Sequence, residues 1–213
     1  MVRVLQKNTS NKILMSLFKK LFNKAKDKAL SPKEERSKYL PEVPLPTDEK
    51  FTYNFRKNGG KFLYCENYEE LDEAFDNILL ENDWYEKDVF CTNENLKSRF
   101  NSYNLKFGNN IESAFFFSQC ESLVADAGAI LISSNQIKEK KLKELPDNFI
   151  IFATTSQLVD TIGEGLRKIK SANKNNIPSN ITTIKNFESK KENDFMTYGS
   201  SSKNLYLLLL EDL

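Results

Sequence analysis

CESLVADAGAILISSNQ, residues 120–136, is the stretch that decides the fold. A polar start gives way to Val124-Ala125-Asp126-Ala127-Gly128, then to the apolar run Ala129-Ile130-Leu131-Ile132, then to Ser133-Ser134. An apolar run bounded by glycine on one side and serines on the other predicts a buried strand over 129–134. One carboxylate, Asp126, therefore stands where the chain enters a sheet. Two roles fit it. It is a turn-capping acid that accepts backbone N–H bonds, or a ligand-facing acid on the rim of a cleft. Gly128 supplies a positive φ or a close approach of backbone to a ligand. With Glu121 a few residues earlier and two serines after the strand, the candidate ligand-binding residues are Glu121, Asp126, Gly128, Ser133 and Ser134.

Outward from this strand the chain alternates between two periodicities. Residues 61–66, KFLYCE, read as a strand after the turn at Gly59-Gly60. Residues 68–83 place Leu71, Phe75, Ile78 and Leu79 on one helical face. Residues 88–92 read as a strand and 93–104 as a helix, while 111–126 fits either. Residues 148–154 read as a strand. Residues 156–170 carry Leu158, Val159, Ile162, Leu166 and Ile169 at helical spacing, with Thr155 or Ser156 as the cap. NITTI (180–184) and NLYLLLLED (204–212) close as strands. Strand and helix in alternation predict an α/β domain around a mainly parallel sheet. The continuous run YLLLL suits a strand covered on both faces.

Composition narrows the chemistry. The chain has 213 residues, 39% hydrophobic and 29% charged, enough for one sizeable domain with an appended segment. It has no histidine, which excludes Ser-His-Asp and Cys-His catalysis. Cys65, Cys91 and Cys120 are odd in number and widely spaced, so no zinc ribbon, iron–sulfur cluster or disulfide framework is expected from this chain, nor any other metal or cofactor. Dispersed cysteines and the lack of a signal-peptide pattern point to the cytoplasm.

The net charge of +1 conceals an asymmetry. Residues 1–30 hold eight basic residues and one acid, net +7, while the remainder holds 23 basic and 29 acidic residues, net −6. We divide the chain into a basic arm (1–30), a linker with Pro32, Pro41, Pro44 and Pro46 (31–50) and an α/β body (51–213). Ile13, Leu14, Leu17, Phe18, Leu21 and Phe22 give residues 13–30 an amphipathic pattern. Such an arm docks on an anionic membrane or a partner groove, or else lies on its own domain or trails as a flexible tail. Nucleic acid is not the expected partner, because phosphate tracking leaves the apolar stripe unexplained. Met15 is an alternative start, which would leave 1–14 outside the native protein.

Other motifs read as structure. Gly59-Gly60 precedes a strand, the wrong order for a phosphate loop. The six acids of ENYEELDEAFD fall on the solvated face of a helix, Trp84 reads as core, and Gly163 and Gly165 as close helix packing.

CESLVADAGAILISSNQ, together with LPDNFIIFATTSQLVDTIGEGLRKI, PSNITTI and NFRKNGGKFLYCEN, resembles the LUD domain, the lactate-utilisation family of LutC/YkgG type, over residues 45–213. Ala125-Asp126-Ala127-Gly128-Ala129-Ile130 matches its A-[DE]-x-G-[ST]-[IL] core, with Ala129 in place of the hydroxyl residue. The resemblance implies a three-layer fold like the NagB/RpiA/CoA-transferase group. It implies an accessory, non-redox role in oxidising L-lactate to pyruvate, beside iron–sulfur partner proteins. The alternative it carries is a stand-alone ligand-binding protein or a transferase acting on a sugar phosphate or acyl thioester. A GPSRTADIE-like segment before the last strand is replaced here by 186–203, where Ser200, Ser201, Ser202 and Lys203 are weak substitutes.

Overall fold

The computed structural model describes residues 45–174, 176–187 and 203–212. The chain divides into two units, Met1–Pro44 and Leu45–Leu213. The first, with the basic arm and most of the linker, lies outside the described residues, as do residues 188–202.

Helix α1 (Thr47–Lys57) begins directly after Pro46, so 47–50 of the expected linker are the first turn of a helix. Asp48 and Glu49 in that turn, and Arg56 and Lys57 in the last, complement the helix dipole. Gly59, at φ 85°, turns the chain into β1 (Lys61–Cys65). Asn67 starts α2 (Tyr68–Asn82) by accepting from the N–H groups of Glu69 and Glu70, and Asp83 ends it in the left-handed region. After β2 (Asp88–Phe90), Asn93 caps α3 (Glu94–Arg99) in the same way. The helix expected to reach 104 stops at Phe100. A 3-10 turn and Asn104, at φ 54°, lead instead into β3 (Lys106–Gly108), a strand the sequence reading lacked.

The ambiguous segment 111–126 resolves into two strands, β4 (Phe115–Gln119) and β5 (Ser122–Val124). The strand of the opening motif is β6 (Ala129–Ile132). It ends before the serines, because Ser133 caps the short helix α4 (Ser134–Ile137). After β7 (Asn148–Thr154) the expected helix starts late. A 3-10 turn and β8 (Leu158–Val159) intervene, and Thr161 caps α5 (Ile162–Ala172). Pairing wins there over helical spacing: Gln157 accepts from the N–H of Thr154 at 2.9 Å and donates to the Cys120 carbonyl at 2.6 Å. The carbonyl of Val159 accepts from Ala125 at 2.9 Å. Strands β9 (Thr182–Ile184) and β10 (Asn204–Leu210) complete the fold.

Six strands form a parallel sheet in the order β1-β10-β7-β4-β2-β3. A second, four-stranded sheet runs β8-β5-β6-β9, with β6 antiparallel to both its neighbours. In the large sheet both residue sets of the period-two alternation are apolar. Phe115, Phe117, Tyr206, Leu208 and Leu210 pack with Leu71, Phe75, Ile78 and Leu79 of α2 on one face. Phe116, Phe149, Ile151, Leu205, Leu207 and Leu209 pack on the other with Phe51 and Phe55 of α1 and with Ile130 and Ile132 of β6. The small sheet also has two apolar faces. Ala129 and Leu131 turn away from the large sheet and meet Ile169 of α5. Gly165 admits that helix, since a Cβ there would lie 2.6 Å from a Leu131 methyl. Gly163 faces no such contact, so close packing accounts for only one of the two. Trp84 is buried, stacked on Phe115 at 4.7 Å. No helix among the described residues is long and apolar enough to cross a membrane.

Candidate functional site

The sequence-predicted site residues fall at the two ends of one hairpin. Strands β5 and β6 pair antiparallel, Ser122 opposite Leu131 and Val124 opposite Ala129. Asp126 and Gly128 lie in the closing turn, while Glu121, Ser133 and Ser134 lie at the open end. Each pair of positions, 121 and 126 or 128 and 133, is five residues apart, so at about 3.4 Å per residue the two groups are roughly 15 Å or more apart.

The turn is built against α1. Gly128 has φ 56°, and a Cβ there would come within 2.3 Å of the Asn54 carbonyl carbon and 2.4 Å of the Phe55 nitrogen. The residue has no room for a side chain, and the neighbour that excludes one is helix backbone. Asn54 Nδ2 donates to the carbonyls of Ala125 (2.9 Å) and Asp126 (3.3 Å). Asn58 Nδ2 donates to those of Ala127 (2.8 Å) and Gly128 (3.0 Å). Two carboxamides four residues apart on one helix face thus satisfy four consecutive turn carbonyls. The expectation that backbone N–H groups hold the Asp126 carboxylate is corrected by the geometry. That carboxylate is exposed and accepts from the Lys50 ammonium, a hydrogen bond that raises the Lys50 pKa. Asn54, Asn58 and Lys50 were missed in the sequence. Their signal is the four-residue spacing of polar residues on a helix that also carries Phe51 and Phe55.

The open end holds a polar network. Glu121 Oε1 accepts from Ser133 Oγ at 2.6 Å, Asn135 Nδ2 at 3.1 Å and Gln136 Nε2 at 3.1 Å. Gln136 Oε1 in turn accepts from the Ser133 N–H at 2.7 Å, closing a capping box. Its main-chain carbonyl accepts from Thr92 Oγ1 at 3.1 Å, and beside Thr92 the Asn93 side chain donates to Gln119 Oε1 at 3.0 Å. Ser133 is fully buried, while Glu121, Gln119, Asn93 and Gln136 are half-buried. Ser134 takes part through its main chain alone, its N–H donating to the Ser179 carbonyl and its carbonyl accepting from the Lys138 N–H. Asn93, Gln119, Asn135 and Gln136 were also missed, although the Ser-x-x-Gln spacing of 133–136 is a cap signature in plain view.

The position of this network follows from topology. From β2 the chain goes to β3 on one side, and from β4 it goes to β7 on the other. Strands β2 and β4 are neighbours, so the sheet order reverses between them. Ligands of open α/β sheets bind outside the carboxyl ends of the strands at such a reversal. Thr92 and Asn93 follow β2, Gln119 ends β4, and Glu121 follows it.

Other polar groups serve the fold. Lys203 is buried and donates to the Leu145 carbonyl (2.9 Å) and Asp147 Oδ1 (3.2 Å), so its ammonium is committed to the start of β7. Asp212 accepts from the Ser156 hydroxyl (2.7 Å), the Ser156 N–H (2.9 Å) and Thr155 Oγ1 (2.8 Å), which lowers its pKa to about 2 and ties the end of β10 to that of β7. All three cysteines are buried and free. Burial raises the Cys65 thiol to about 12 and also raises Cys91 and Cys120, so none is a ready thiolate.

The profile of the LUD domain family matches residues 108–210, from the end of β3 through β10. The crystal structure of a DUF162 family protein from Deinococcus radiodurans shares the fold, with a TM-score of 0.56 at 13% identity, over 79% of this chain and 100% of the other. No curated protein matches the chain.

Proposed function

The chain carries a LUD domain over residues 108–210, a family associated with lactate-utilisation proteins, and from that premise we propose that it is an accessory, non-redox subunit of L-lactate utilisation working with iron–sulfur partner proteins. The observation that carries this is the family match across the strands that form the polar network. The cysteines support it. Buried thiols held in the neutral form are poor cluster ligands, so the electron-carrying groups belong to the partners. The chain contributes the network around Glu121, with Ser133 fixing its geometry and Ser134 tying the start of α4 to Ser179. In this scheme Asp126 and Gly128 shape the hairpin that presents Glu121.

The test is reconstitution. The purified chain alone is expected to be colourless and to reduce no electron acceptor on adding L-lactate. Cluster-bearing proteins encoded beside it are expected to gain lactate-dependent acceptor reduction when it is added. Lactate oxidation by the isolated chain, or partners equally active without it, would overturn the proposal.

A further inference from the structure

Amide orientation around Glu121 follows from hydrogen-bond logic. Asn93 Oδ1 accepts the N–H groups of Asn95 (2.9 Å) and Leu96 (3.2 Å), and only an oxygen can do so. Its Nδ2 therefore faces Gln119, which must answer with Oε1. That leaves Gln119 Nε2 with two N–H donors and no partner among the described residues. Gln136 is fixed likewise, its Oε1 on the Ser133 N–H and its Nε2 on Glu121. Asn135 spends Nδ2 on Glu121, so its Oδ1 is unmatched. Three donors hold Glu121 Oε1, and Oε2 has no partner among the described residues. The residues at the reversal point of the sheet thus leave two oxygen acceptors and one amide donor unmatched among the described residues, on side chains each held by at least one hydrogen bond. Such groups bind without the cost of ordering them first.

We propose that this network binds a small uncharged ligand through hydroxyl groups, one of which donates to Glu121 Oε2, and that free L-lactate is not that ligand. The proposal rests on taking the network as the ligand site of the subunit. A hydroxyl both donates and accepts, which matches the mixed set, whereas an ammonium only donates and leaves Gln119 Nε2 without a counterpart. A free carboxylate would face the Glu121 carboxylate. None of the ion pairs among the described residues brings a cation to Glu121 to offset that repulsion. A neutral hydroxyl compound instead meets a charged acceptor, the stronger kind of hydrogen bond.

The experiment compares three compounds on one carbon skeleton: L-lactate, L-lactamide and propane-1,2-diol, with D-ribose as a larger polyol. Each is titrated into the isotope-labelled full chain at constant ionic strength, following the side-chain amide signals of Gln119, Asn135 and Gln136. The neutral compounds are expected to shift these signals saturably, and L-lactate to leave them in place over the same range. Glu121→Gln keeps the shape but turns an acceptor into a donor, and should weaken the neutral compounds by about tenfold or more while the melt stays cooperative. Saturable L-lactate shifts as strong as those of its neutral analogues would overturn the ligand class while leaving the network as a site. Neutral binding that survives Glu121→Gln would also overturn it. Silence from every compound would remove the site itself along with the proposal.

Discussion

Gly128 and Asp126 are adjacent in the motif and opposite in what they tolerate. Gly128 combines φ 56° with a helix backbone 2.3 Å from any Cβ, so Gly128→Ala pays twice, in a left-handed alanine and in a displaced α1. Each effect costs about 1–2 kcal/mol, so urea melts should show a loss of at least about 2 kcal/mol. A loss below about 0.5 kcal/mol, the range of ordinary surface changes, would refute this. Asp126→Asn is the contrast. Its carboxylate faces solvent and one exposed lysine, and the same melts should barely move. The sequence disclosed the turn and the need for glycine, since Asp-x-Gly before an apolar run has few other meanings. It could not disclose what presses on Gly128, because Asn54 lies far away in the chain.

Helix α1 acts on the hairpin as a clamp. Asn54 and Asn58 between them hold the four carbonyls of the turn. Replacing both with alanine removes bonds worth about 1 kcal/mol per side chain, and the double variant should lose roughly 2 kcal/mol. The loss should be local. Hydrogen exchange should quicken in β5 and β6 before it does in β4 and β7. Uniform acceleration across both sheets would show that α1 supports the whole core and not the turn. The misread elements share a cause. Residues 156–170 carry apolar side chains at helical spacing, yet Leu158 and Val159 are claimed by β5. A strand of two residues leaves no periodicity to detect. Strand β3 hid for the same reason, being three residues beyond a helix-like run.

For the molecule as a whole, the alternating pattern revealed the large sheet and its direction, because parallel strands need crossover helices that leave their own signature. Of the small sheet, β6 and β9 were legible as strands, but β8 and the pairing of the four were not. Its strands have two to four residues, and β6 finds β9 across more than fifty residues. The polar network was half legible. Glu121 and the serines stand in the quoted motif, but Asn93 and Gln119 join them only through the reversal between β2 and β4. The order of the large sheet also places β10 between β1 and β7. Ending the chain after residue 203 should therefore abolish the cooperative melt outright, and a truncated protein with a sharp transition would contradict the topology. The central place of β10 bears on how the protein is made. Ribosomes deliver β1 early and its partner strand last of all in this sheet. Through most of synthesis β1 and β7 both present unpaired edges of the kind that recruit other chains. A stalled or prematurely released product is then no smaller version of the protein but a sticky one, suited to chaperones or proteases. Strand β10 covers the edges of β1 and β7 in a single step.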